Sequence, residues 1–122
     1  SNLCSEVIGV ERIPELLAES RTKIAKLGIT NISLNLAEKR IGLRQKKPFD
    51  AIIVSAALPR IPFDLLDQLS PLGRLVCPVG DLNEQSIILL QKHTARYTVK
   101  SLVGCKFVPF IGESGWSQEE IG

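Results

Sequence analysis

The sequence predicts an α/β fold: a doubly wound, mostly parallel sheet that ends in an antiparallel hairpin. Three observations carry this. Short β-branched runs alternate with helical patterns in the first two-thirds of the chain, the order expected of parallel strands joined by crossovers. Phe49 to Ala57 (FDAIIVSAA) is a continuous apolar stretch, the signature of a strand covered on both faces. Ser86 to Lys92 and Tyr97 to Val103 follow one another with no helix between them, so they pair as a hairpin.

Taken in order, Glu6 to Val10 reads as a buried strand that ends at Glu11. Ile13-Pro14-Glu15 starts a helix, with Pro14 near its first position and an acid in its first turn. Ile13, Leu17, Ile24 and Leu27 mark its inner face, and Gly28 closes it. Asn31 to Leu36 alternates and reads as a half-buried strand near a sheet edge. Residues Ala37 to Pro48 are polar, contain Gly42 and form a loop. Pro62 to Leu69 is a short helix with Leu65, Leu66 and Leu69 inward. Ser70 to Gly73 turns the chain into a strand at Arg74 to Val79. Lys106 to Ile111 is extended, and Pro109 bars it from a central ladder position. The tail from Gly112 is polar except for Trp116 and Ile121. No linker or repeat interrupts the 122 residues, so a single domain is expected.

Composition narrows the function classes. A net charge of +2 is too small for a nucleic-acid surface, and the cluster Arg44-Gln45-Lys46-Lys47 reads as a solvated loop. No apolar run approaches the ~20 residues of a membrane span. Cys4, Cys77 and Cys105 lie in apolar contexts without a CxxC pair and read as buried, reduced thiols of a cytoplasmic protein. The single histidine, His93, stands in a polar turn with no paired acid nearby, which argues against a base. No metal-ligand cluster is apparent, and no Ser-His-Asp set can be assembled. The nine glycines include no GxG pair, so neither a dinucleotide fingerprint nor a phosphate loop is present. The chain contains no methionine and starts at Ser1-Asn2-Leu3, which suggests a cut fragment, a cloning remnant or a processed end.

In sheets of this kind, ligands bind beyond the carboxyl ends of the strands. Glu11 stands at such an end. Its two acceptor oxygens match the two donors of a vicinal diol, as in a ribose, although a strand-end Glu is more often a helix-start charge. Glu38 follows the next strand and could accept from an exocyclic amine, or be one charge in the surface run Glu38-Lys39-Arg40.

Four blocks, Val7 to Leu16, Pro48 to Ala57, Gly73 to Gly80 and Lys106 to Gly112, together resemble the protein-L-isoaspartate O-methyltransferase family, in order and across nearly the whole chain. The resemblance implies a partial Rossmann-like (class I) methyltransferase sheet. It also implies methyl transfer from S-adenosylmethionine to the carboxylate of an L-isoaspartyl residue in damaged proteins or peptides. The ester then decays through a succinimide, which repairs the backbone. By the same resemblance Glu11, Arg12 and Glu38 bind cofactor. Val54, Ser55 and Ala56 floor the active site, and Phe107, Val108 and Pro109 line the isoaspartyl groove. The family's glycine-rich loop, its central first strand and its active-site hydroxyl belong to a segment before Ser1, so no catalytic residue is expected here. Its Gly-Asp-Gly turn reads Ala37-Glu38-Lys39, which removes two permissive glycines. These departures lead to two expectations: an enzyme fragment inactive alone, or a non-catalytic relative acting as a structural or protein-interaction domain. A missing central strand would leave two unpaired edges at 6–10 and 50–55, to be covered by a homodimer or a rearranged sheet.

Overall fold

A computed structural model describes residues 3–46 and 48–121. Ser1 and Asn2 at the start, Lys47 of the basic cluster and Gly122 of the tail lie outside the described residues. The chain divides into two compact units, Ser1–Glu38 and Lys39–Gly122.

In the first unit, β1 (Val7–Glu11) leads into α1 (Pro14–Lys26), which returns the chain to β2 (Ile32–Leu36). The two strands pair in parallel, in register from Val7 opposite Ile32 to Glu11 opposite Leu36. Pro14 opens the helix, Glu15 lies in its first turn and Lys23 and Lys26 in its last, each charge matched to the helix dipole. The helix ends in a Schellman turn: Ile29 N–H bonds Ile24 O, Gly28 N–H bonds Ala25 O, and Gly28 takes φ +68°. Of the predicted inner face, Leu17 is buried and Ile24 half-buried. Leu27, however, lies just past the helix and is 73% exposed.

In the second unit, a four-stranded sheet runs in chain order: β3 (Phe49–Ile53), β4 (Leu69–Gly80), β5 (Gln85–Lys92) and β6 (Tyr97–Cys105). β3 and β4 are parallel; β4–β5 and β5–β6 are antiparallel. Among the described residues the ladders between named strands therefore divide evenly between the two senses. A short helix, α2 (Phe63–Asp67), lies in the crossover from β3 to β4. Its Leu65 and Leu66 join Ile41, Leu58, Leu69, Leu75, Cys77 and Leu90 in one apolar cluster. Burying such side chains is the main stabilising term, about 1.5–3 kcal/mol for each one fully withdrawn from water. A last short helix, α3, spans Gln118–Ile121.

Several expectations are corrected. β3 is not covered on both faces: Ile52 packs on the cluster, whereas Ala51 is exposed and Ile53 is 77% exposed. An apolar run states what a strand needs buried, and the described residues cover one side of it only. The predicted turn at Ser70–Gly73 is a bulge inside β4. The register jumps from Phe49 opposite Leu69 to Ala51 opposite Arg74, and Leu72 takes φ +65°. Ser70 Oγ steadies the bulge by donating to Asp50 Oδ1 at 3.0 Å. β1 pairs with β2 in the first unit, and β3 pairs with β4 in the second. Cys4 is exposed because it precedes the first strand, whereas Cys77 is buried and Cys105 half-buried.

Candidate functional site

Glu11 ends β1, and its carboxylate does not swing free. Oε1 accepts the N–H of Ile13 at 3.0 Å, so the side chain folds back over the turn that starts α1. This is the geometry of a helix-start charge. The acid satisfies a backbone donor at a helix start, and it is held half-buried at a strand's carboxyl end with Oε2 uncommitted among the described residues. Ala37 N–H bonds Glu11 O at 2.8 Å, which brings the turn after β2 alongside. Glu38, the next residue, is therefore a near neighbour of Glu11 along the strand ends, and it is exposed. Arg12 lies in the turn between β1 and α1 and is also exposed.

The second unit brings together the two other predicted segments. Val54 continues from β3, donating its N–H to Val76 O at 3.0 Å, and packs on the apolar cluster. Ser55 is exposed and Ala56 half-buried. Ala57 then bridges the segment after β6: its N–H bonds Val108 O at 2.7 Å, and its O accepts Phe110 N–H at 2.8 Å. Phe107 and Pro109 are half-buried between these ties, and Val108 is 71% exposed. The run is held farther on by Trp116, whose N–H bonds Phe110 O at 2.9 Å. So Ala57, at the end of 54–57, meets the run 107–110, some fifty residues on, in one short parallel bridge.

Sequence reasoning missed the residues that hold these segments. Gln85 is 2% exposed; its Nε2 donates to Asp81 O at 2.6 Å and its Oε1 accepts Phe107 N–H at 2.8 Å. Gln68, fully buried, does the same for the loop before β3. It accepts Leu43 N–H at 2.9 Å and donates to Ile41 O at 3.0 Å and Asp64 O at 2.8 Å. Gln68 stands beside Leu65, Leu66 and Leu69, but Gln85 lies among Asn83, Glu84 and Ser86, where nothing local signals its burial. Asp81 closes the turn before β5 on itself. The N–H groups of Glu84 and Asn83 hold its carboxyl below the ordinary range. Arg44, from the basic cluster, pairs with Asp64 at 3.1 Å and Asp67 at 2.9 Å, which anchors the loop rather than offering a phosphate patch. His93 is a turn residue: its N–H bonds Arg96 O at 2.8 Å, and its ring meets Thr98 Oγ1 at 3.1 Å. Among the described residues no cluster of three His, Cys, Asp or Glu side chains is arranged for a metal, and no helix is long and apolar enough to cross a membrane.

The family model for protein-L-isoaspartate(D-aspartate) O-methyltransferase (PCMT) matches residues 2–115. The chain belongs to this family. Among curated relatives, the protein-L-isoaspartate O-methyltransferase of Methanoculleus marisnigri is 40% identical over 119 residues, covering 98% of this chain and 54% of the relative. That of Desulfosudis oleivorans is 42% identical over 118 residues, covering 97% and 53%. The chain thus spans about half the length of the curated relatives it matches. A solved protein-L-isoaspartate O-methyltransferase superposes on 90% of the chain with a TM-score of 0.80 at 22% identity, covering 35% of that structure, which bears on the fold alone. A second PCMT structure, from Plasmodium falciparum and in complex with S-adenosyl-L-homocysteine, superposes on 84% of the chain and 51% of its own length, with a TM-score of 0.70 at 26% identity. The PCMT fold is the Rossmann-like class I arrangement that the resemblance implied.

Proposed function

We propose that this chain is the part of a protein-L-isoaspartate O-methyltransferase that anchors the cofactor's ribose and lines the groove for the isoaspartyl substrate, its two units belonging to one methyltransferase domain. The observation that carries this is the Glu11 carboxylate, fixed at the end of β1 by Ile13 N–H with an oxygen to spare. A ribose diol needs such an acceptor, so the residues present fit S-adenosylmethionine. When bound, that cofactor supplies an electrophilic methyl group. Glu11 accepts from the ribose hydroxyls, Arg12 flanks it, and Glu38 accepts from the adenine amine. Val54, Ser55 and Ala56 form the floor that excludes water beneath the isoaspartyl carboxylate. Phe107 to Pro109 offer the substrate backbone an extended edge, and Val108 is exposed for contact. The work of this protein is to position and desolvate the two reactants rather than to activate a nucleophile.

Alone, the chain turns over slowly or not at all in this reading, because Ala37-Glu38-Lys39 lacks the glycines that let a backbone approach the cofactor closely. That same turn favours the second reading, a non-catalytic relative that uses the edge at 54–57 and 107–110 to bind protein. Among the described residues β1 and β3 each carry a ladder on one side only, so a homodimer through these edges belongs to the proposal. The free thiols favour a reducing, cytoplasmic setting. A thermal melt with and without millimolar S-adenosylhomocysteine tests the main reading. Saturation at about 100 times the dissociation constant adds about 2.7 kcal/mol, a shift of several degrees. A cooperative melt with no shift would leave the non-catalytic reading standing.

A further inference from the structure

We propose that Gln85 is a positioning residue for the substrate edge, setting where the run 107–110 lies against Ala57. The proposal rests on the reading of 107–109 as substrate-lining. Phe107 lies beyond the end of β6 and has no ladder partner, so its N–H depends on Gln85 Oε1 at 2.8 Å. Pro109 has no N–H to give, which leaves the run with two backbone bonds to Ala57. The other end of the Gln85 amide grips Asp81 O, in a turn already closed by its own carboxylate. From that turn the ties continue: Gly80 N–H bonds Leu58 O at 3.0 Å, and Leu58 N–H bonds Pro78 O at 2.9 Å. Leu58 adjoins Ala57, so a closed ring runs from 57 through 58, 80, 81, 85, 107 and 108 back to 57. Gln85 is the side chain that closes it. Without its amide, Phe107 N–H and Asp81 O lose their partners, and the run keeps only its bonds to Ala57 and to Trp116 farther on.

Amide hydrogen exchange on the full chain, comparing wild type with Gln85→Met and Gln85→Glu, tests this. In Gln85→Met the amides of Phe107, Ala57 and Phe110 should exchange about tenfold faster or more, while Val76 and Leu90 within the β4–β5 ladder stay within about twofold. Gln85→Glu keeps an acceptor for Phe107 but, when ionised, has no donor for Asp81 O, so the ring stays open and Ala57 and Phe110 should still exchange at least about threefold faster than in wild type. Acceleration at Phe107 alone, or equal acceleration everywhere, overturns the proposal. Should Gln85→Met fail to fold, wild type still decides: the three amides must share one opening with one denaturant dependence, and separate openings overturn it. Titration with an isoaspartyl peptide and its aspartyl isomer, read from Trp116 fluorescence, separates the two layers of inference. Discrimination in wild type that is weakened about tenfold in Gln85→Met, with S-adenosylhomocysteine affinity unchanged, supports positioning. A wild type blind to the isoaspartyl bond overturns the groove reading. A discriminating wild type whose Gln85→Met variant binds as tightly overturns the proposal alone.

Discussion

The amide of Gln68 occupies the space that a side chain on Gly42 would need. Gly42 sits at φ +88°, and a Cβ there would collide with Gln68 Oε1 while the same amide bonds Ile41 O and Leu43 N–H on either side. Gly42→Ala should therefore cost more than about 2 kcal/mol, combining left-handed backbone strain with loss of the amide's bonds. Gln68→Leu should cost a similar amount by leaving both loop groups unpaired in the core. Urea denaturation reads both, and a change below half a kcal/mol in either would show that the loop repacks freely.

Glu11→Gln should keep the bond to Ile13 while removing the charge and one acceptor. Stability should move by less than about 1 kcal/mol, and affinity for S-adenosylhomocysteine should fall about tenfold to a hundredfold, the range of charge-assisted hydrogen bonds. Calorimetric titration beside a thermal melt separates the two effects. Equal affinity in the variant would remove Glu11 from the cofactor site.

Burial pushes the Cys77 thiol up to about 11, from an ordinary value of 9.0. Because the folded-state value is raised, the neutral thiol's contribution is fully present below about pH 9 and is lost as pH rises toward 11. The loss is on the order of 2 kcal/mol. The melting temperature should fall across that window, and Cys77→Val should flatten the slope. In native protein at neutral pH, a thiol reagent should label exposed Cys4 long before Cys77.

The Arg44 pairs with Asp64 and Asp67 look substantial, yet Asp67 is more than half exposed. Arg44→Ala should cost no more than about 1 kcal/mol, with weaker effect in high salt. A loss of several kcal/mol in a denaturation series would mean that the pair network is far less screened than its exposure implies.

Much of the fold was legible in the sequence because its signals are local. Pro14, Glu15 and Gly28 frame a helix whose ends fall within a residue or two of their marks, and the hairpin at 85–105 follows from two apolar runs with no room for a crossover. Glu11 was legible for the same reason, since a strand-end acid before a helix start is a short-range pattern. What escaped was non-local. The exposure of Ile53 depends on what lies over β3, and the bulge at Ser70–Gly73 depends on how β4 meets Phe49 and Ala51. Gln85 and Gln68 serve backbone groups more than twenty residues away, which no periodicity reports.

The four strands β3 to β6 stand side by side in the order in which they occur in the chain. During synthesis each strand can therefore add to the one that emerged just before it, with no need to reserve a slot for a later arrival. Loop closures stay short, and the search for partners is nearly one-dimensional. β4 is the exception in cost, because its parallel match with β3 must wait for the crossover through α2. On topology alone, that crossover is the step expected to be slowest in assembling the second unit.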